Sequence, residues 1–217
     1  ICMSEGFTVS ARQTGRPAAL TGDRERECYE LLERLGAELC FFSPMKDEEI
    51  PQGCQGLILG GGYPELYGAA ISDNHPMRSS VKRAVEAGMP TIAECGGFLY
   101  LQESLTGPDG RAYPMVGALP GRASMTKKLV RFGYLTLEAK EDSLLLAAGE
   151  RIPAHEFHYS DSDCCGDGYL AQKPSGKCWE CGVVNENLYA GYPHIHFGGN
   201  PQAAHRFLNR CRRFGGM

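Results

Sequence analysis

The sequence predicts an α/β domain with a mostly parallel central sheet and an antiparallel extension. Three observations carry this. Short apolar β-prone runs alternate with helical segments over the first half of the chain. Two of those runs end directly in glycine-rich turns, at Gly60-Gly61-Gly62 and at Cys95-Gly96-Gly97. Beyond about residue 130 the pattern changes to β-segments joined by Gly, Pro and Asp turns.

In chain order, Phe7 to Ser10 is a short β-prone run. Asp23 to Leu35 places Cys28, Leu31, Leu32 and Leu35 at helical spacing, with Asp23 set to cap it and Gly36 to end it. Ala37 to Phe42 reads as a strand stopped by Ser43-Pro44, and Gly56 to Leu59 as a buried strand. After Asn74, Met77, Val81, Ala84 and Val85 mark an amphipathic helix closing at Gly88. Thr91 to Ala93 is another strand, followed by a helical Phe98 to Glu103. Tyr134–Glu138, Arg151–Ser160, Tyr169–Gln172, Gly182–Val184 and Leu188–Tyr192 form the antiparallel part. A last helix opens at Asn200-Pro201, where proline suits the first turn, and runs through Cys211. Strands separated by helices imply right-handed crossovers. With no linker composition near Gly121, residues 1–217 read as one domain rather than two.

Composition narrows the function classes. The 217 residues are 42% hydrophobic and 22% charged, with a net charge of −4, which excludes a disordered or fibrous chain. No block of like charge marks a nucleic-acid binder or a membrane-surface anchor. The longest apolar runs are too short to span a bilayer, and no signal peptide is visible at the first residues. Ten cysteines scattered over helix, strand and turn positions read as thiols of a reducing cytoplasm rather than as a disulfide framework.

Cys95 is the sharpest feature. A short apolar strand delivers it to a turn relaxed by Gly96-Gly97, and a helix follows at once, which is the arrangement of a nucleophile elbow. The other reading is a buried structural cysteine in a β-to-α junction. Gly60-Gly61-Gly62-Tyr63-Pro64-Glu65 follows another buried strand. Its backbone N–H groups, with that of Gly96, could form an oxyanion hole, or the segment could be a plain tight loop. Neither a dinucleotide fingerprint nor a phosphate-loop lysine is present, so the loop gives nucleotide binding little support. In Tyr192-Pro193-His194-Ile195-His196-Phe197 the alternating histidines would share one strand face, as a base for Cys95, as metal ligands, or as a polar face. His155 and His158 alternate in the same way and could bind substrate, bind metal or face solvent. Cys164-Cys165 with Cys178-x-x-Cys181 has half of a zinc spacing, but adjacent cysteines are poor ligands. These are read as surface thiols, with no metal held.

Four segments in order, GLILGGGYPE, AECGGFLYL, HEFHYS and YPHIHF, resemble the glutamine amidotransferase domain of the cobyrinic acid a,c-diamide synthase family, from about Gly36 to the C-terminus. The resemblance implies a class I glutamine amidotransferase-like, flavodoxin-like three-layer fold. It implies Cys95 as glutaminase nucleophile and His194 as its partner. In better-known triad enzymes an acidic residue stands two positions after that histidine. His196 occupies that place, so the resemblance implies a dyad, with His196 beside it. Gly61, Gly62 and Gly96 match the oxyanion-hole region, and Tyr63, Glu65, His155 and His158 are candidates for substrate binding. Glutamine is the implied substrate. The implied partner is an ATP-binding synthetase domain that uses the released ammonia to amidate a corrinoid or related tetrapyrrole. ATP and magnesium belong to that domain, and no cofactor is expected in this chain. Gln13 to Leu20 departs from the family pattern in a stretch near its domain interface. Two other classes remain open: a non-catalytic module of the same fold, and a cysteine hydrolase of another amide.

Overall fold

The structure, a computed structural model, describes residues 1–4 and 23–216; Phe7 to Ser10 and Gln13 to Leu20 lie outside them. Its first elements are β1 (Cys2–Ser4), α1 (Asp23–Arg34), β2 (Cys40–Phe42), β3 (Leu57–Leu59), α2 (Gly68–Asp73), α3 (His75–Glu86), β4 (Thr91–Glu94) and α4 (Gly96–Leu101). There follow β5 (Ser104–Thr106), β6 (Ala112–Pro114), β7 (Arg122–Met125), β8 (Arg131–Ala139), β9 (Arg151–His158) and β10 (Ser160–Ser162). The chain finishes with β11 (Tyr169–Gln172), β12 (Cys178–Cys181), β13 (Val183–Asn185), β14 (Leu188–Gly191), β15 (His194–Ile195) and α5 (Pro201–Phe214).

The central sheet has the order β13-β14-β4-β3-β1-β2. Its pairs are parallel except at the β13 edge, which runs antiparallel to β14. Such a sheet is covered on both faces, which is why Leu57-Ile58-Leu59 and Thr91-Ile92-Ala93 are buried at every position without alternation. One face packs against α3 and α4 through Met77, Val81, Phe98 and Leu101. The other packs against α1, α5 and the inner side of the five-stranded sheet β12-β11-β8-β9-β15, through Leu32, Phe207, Leu137 and Ile152. This is the three-layer α/β arrangement.

Local chemistry sets the element ends. The Asn74 side chain accepts from the Met77 N–H at 3.3 Å, capping α3 beside the proline of its first turn. Gly88, with φ of 81°, supplies the left-handed exit that a branched residue would resist. A third sheet, β10-β7-β5-β6, extends the α4 side and has no counterpart in the sequence reading. Its strands are three or four residues long, too short to show a period. One expectation is corrected here: Cys2 is joined to Cys54 as a disulfide, with Cα atoms 5.7 Å apart. Strand β1 beside β3 brings together two cysteines 52 residues apart, a proximity that spacing alone does not reveal. The other cysteines form no disulfide.

Candidate functional site

Three neighbouring strand ends converge, as ligand sites do in open parallel sheets. Strand β4 ends at Glu94 and hands the chain to Cys95. Adjacent β3 ends at Leu59 and runs into Gly60-Gly61-Gly62. On the other side, β14 ends at Gly191, whose carbonyl accepts from the Cys95 N–H at 2.8 Å before the chain turns to His194.

Cys95 has φ of 49°, the only positive value among non-glycine residues of the described chain. This strain is held in place by its fixed neighbours: the Gly97 N–H donates to Gly60 O, and the Leu99 N–H to Cys95 O. The glycines explain themselves by contact. A Cβ on Gly97 would drive into the Leu59 backbone, and one on Gly96 would stand 2.9 Å from Gly62 O. The two loops can approach this closely only without side chains. Gly96 is the first residue of α4, so its N–H has no acceptor within that helix. It is set beside the Gly61-Gly62 turn, and the three predicted oxyanion-hole glycines therefore form one group around Cys95.

His194 lies over Gly61, where a Cβ would meet its Cε1 at 2.6 Å. The ring lies beside the Cys95 side chain. Its Nδ1 stands 3.5 Å from Glu94 Oε2, which leaves Nε2 for the thiol. The other oxygen, Glu94 Oε1, accepts from the Ile195 N–H at 2.8 Å, so the carboxylate is fixed to the very strand that carries the histidine. Burial opposes charge on this ring, but the hydrogen bonds and charges of Cys95 and Glu94 outweigh it and raise its pKa to about 10. A thiol, an imidazole and a carboxylate thus stand together.

Glu94 is the residue the sequence reading missed. It sits immediately before Cys95 rather than two positions after His194. The signal available was a charged residue closing an otherwise apolar strand, and it is buried in the structure. A carboxylate therefore stands beside the expected Cys95–His194 dyad. His194 and His196, read as sharing a strand face, take different partners. Strand β15 ends at Ile195, and His196, still extended, precedes a 3-10 turn, with its Nε2 3.0 Å from Glu27 Oε2 on α1. His196 is thus not brought to Cys95.

The remaining candidates are spread around this centre. Tyr63 is exposed at the end of the glycine loop, and Glu65 is buried in the following 3-10 turn, where desolvation raises its pKa. His155 pairs in register with His194. His158 is buried, stacked on Tyr192 at 3.8 Å, with Nδ1 2.7 Å from Ser160 O; burial lowers its pKa to about 4. It is a neutral packing ring rather than a solvent-facing one. Of the four cysteines read as surface thiols, Cys178 is exposed and Cys164 and Cys165 are half-buried, but Cys181, three residues along β12 from Cys178, is buried, which corrects the reading there. Among the described residues no three His, Cys, Asp or Glu side chains come together to hold a metal, and no helix is long and apolar enough to cross a membrane.

A strained thiol on a strand-to-helix turn, its imidazole and an oxyanion-hole candidate define a thiol-dependent hydrolase or acyl-transfer domain of α/β fold. The profile of the CobB/CobQ-like glutamine amidotransferase domain matches residues 29–202. Among curated relatives, the cobyrinate a,c-diamide synthase of Caldanaerobacter subterraneus subsp. tengcongensis is 43% identical over 193 residues, covering 88% of this chain and 43% of the relative. That of Priestia megaterium is 37% identical over 188 residues, covering 86% and 41% respectively. Among solved structures, a glutamine amidotransferase superposes with a TM-score of 0.59 at 22% identity, covering 89% of this chain and 96% of that one. PurLQS from Thermotoga maritima gives 0.58 at 15%, covering 98% and 97%. These two show the fold. The chain belongs to the CobB/CobQ-like glutamine amidotransferase family, and it spans about two-fifths of the length of the curated relatives it matches.

Proposed function

We propose that this chain is the glutaminase half of a cobyrinate a,c-diamide synthase. The observation that carries the reading is the Cys95–His194–Glu94 line, set on the strained turn. Cys95 Sγ attacks the side-chain amide carbon of glutamine, and the negative charge that develops on oxygen is met by the N–H groups around Gly61, Gly62 and Gly96. His194 holds the thiol proton and passes it to the departing nitrogen, so ammonia leaves and a thioester remains. His194 then takes a proton from water, which attacks the thioester to release glutamate and restore the thiol. Glu94 keeps the ring oriented and supports its charged form through both steps.

The ammonia feeds ATP-dependent amidation of the a and c carboxylates of a corrinoid acceptor. That step belongs to an ATP- and magnesium-binding synthetase domain in the cytoplasm; the glycine triplet of this chain is followed by Tyr-Pro-Glu and no lysine, a poor phosphate cradle. The test is glutamate release from glutamine by the purified chain. Turnover that is lost in Cys95→Ala supports the reading. Absence of turnover, both alone and with a synthetase half added, would refute it.

A further inference from the structure

The five-stranded sheet has an outer face that nothing among the described residues covers. Tyr134, His155 and His194 stand opposite one another across β8, β9 and β15, so they project from the same face. The next cross-strand pair is Phe132 and Phe157. The rings form a continuous edge-to-face ladder: Tyr134 to His155 at 5.2 Å, His155 to Phe132 at 5.7 Å, Phe132 to Phe157 at 5.7 Å, and Phe157 to Tyr159 at 5.7 Å. A soluble strand pair ordinarily carries polar residues outward. Here Tyr134 is 78% exposed, Phe132 58%, and Phe157 and Tyr159 41% each. The eight large apolar side chains left exposed among the described residues cluster: all but Phe214 lie on this ladder, at Leu129 just before it, or at Tyr63 and Leu66 just after Gly62. They flank the Cys95–His194 site on both sides.

We propose that this aromatic face is the docking surface for the synthetase half that consumes the ammonia. The inference rests on the glutaminase reading and adds the surface through which that site is coupled. Three observations choose the occupant. The ladder's first row contains His194 itself, so whatever covers the rings also covers the site. Ammonia released to water is protonated and loses its nucleophilicity, so the surface around the site is where a consuming partner must seal. The curated relatives carry more than half of their length outside the matched segment, a partner of sufficient size. The four exposed rings present about 400 Å², roughly half of the about 800 Å² that a stable interface takes from each side. Tyr and Phe supply such area at low entropic cost and are enriched at interface centres.

The test uses the Caldanaerobacter relative with its matched segment replaced by this chain, and, as a second arrangement, this chain mixed with the rest of that relative as a separate protein. Hydroxyl-radical footprinting reads the rings directly. Oxidation of Phe132, Tyr134, Phe157 and Tyr159 should be fast in the isolated chain and fall at least fivefold in one or both arrangements. The triple variant Phe132→Ser/Tyr134→Ser/Phe157→Ser should release glutamate within twofold of the parent when isolated. In the chimera it should keep ammonia-dependent amidation but lose at least tenfold of the glutamine-dependent reaction. Oxidation in both arrangements as fast as in the isolated chain, protection in the isolated chain through self-association, or undiminished coupling in the triple variant would each overturn the proposal. A chain that never releases glutamate would refute the glutaminase reading instead, and the footprint would still report on docking.

Discussion

Glu94→Gln is the substitution that separates a true third member from a bystander. The amide keeps the volume and can still accept from the Ile195 N–H, as Glu94 Oε1 does at 2.8 Å. What it loses is the charge 3.5 Å from His194 Nδ1. At that separation and an effective dielectric of about 20, the gross attraction is ~5 kcal/mol. Part is returned because Cys95 still holds the ring, so we expect about 3 kcal/mol of lost transition-state stabilisation, or ~10²-fold in kcat. KM for glutamine should move less than threefold, since Glu94 is buried behind the histidine. The pH profile should shift as well. With Glu94 ionised, His194 stays protonated up to about 10; without it the ring deprotonates at lower pH, and the alkaline limb moves down. The assay is glutamate release from pH 6 to 10, with circular dichroism to confirm the fold. Activity within threefold of the parent and an unmoved alkaline limb would refute the role assigned to Glu94.

The other predictions follow from neighbouring geometry. His194→Ala should lose ~10²–10⁴-fold of glutaminase activity, and His196→Ala less than tenfold, because its ring bonds Glu27 on α1; a larger loss at His196 in the same assay would reverse the roles. Gly61→Ala would put a methyl group 2.6 Å from His194 Cε1, so ~10²-fold of kcat should be lost by displacing the ring, with thermal denaturation showing a folded protein; full activity would contradict the packing. Glu156 is fully buried, and neither carboxylate oxygen has a hydrogen-bond partner. Desolvation raises its pKa from 4.5 to about 7 despite Arg131 nearby. A raised carboxyl pKa costs stability progressively as pH rises from 4.5 through 7. Glu156→Gln should therefore stabilise by up to ~3 kcal/mol above pH 7 and by little below pH 4.5; denaturant titrations at pH 4 and 8 check this.

The parallel core was legible because its strands are buried on both faces and end in glycine. Leu57-Ile58-Leu59 and Thr91-Ile92-Ala93 are each a short run buried at every position and stopped by Gly-Gly-Gly or, one residue on, by Cys-Gly-Gly. The helix α3 was legible for its Asn74 cap and Gly88 exit. The sheet β10-β7-β5-β6 was not, since three-residue strands carry no period to read. At the site, Cys95 and His194 were identifiable from motif and resemblance. The Glu94 contact was hidden because it arises from the parallel neighbours β4 and β14 placing residues 94 and 194 side by side. The partner of His196, Glu27 on α1, was hidden because it comes from an element 169 residues away in sequence. The Cys2–Cys54 bond is likewise a product of tertiary pairing rather than of sequence spacing.

The central claim is that Cys95 forms a covalent bond to the glutamine amide carbon, and trapping tests it most directly. The chain should be incubated with a diazo-ketone analogue of glutamine and digested for mass spectrometry. The account predicts one stoichiometric adduct, on Cys95, formed at a rate that glutamine slows by competition and that His194→Ala reduces at least tenfold. An adduct on Cys28, Cys165, Cys178 or any other cysteine with Cys95 unmodified, or glutamate release that survives in Cys95→Ala, would contradict it.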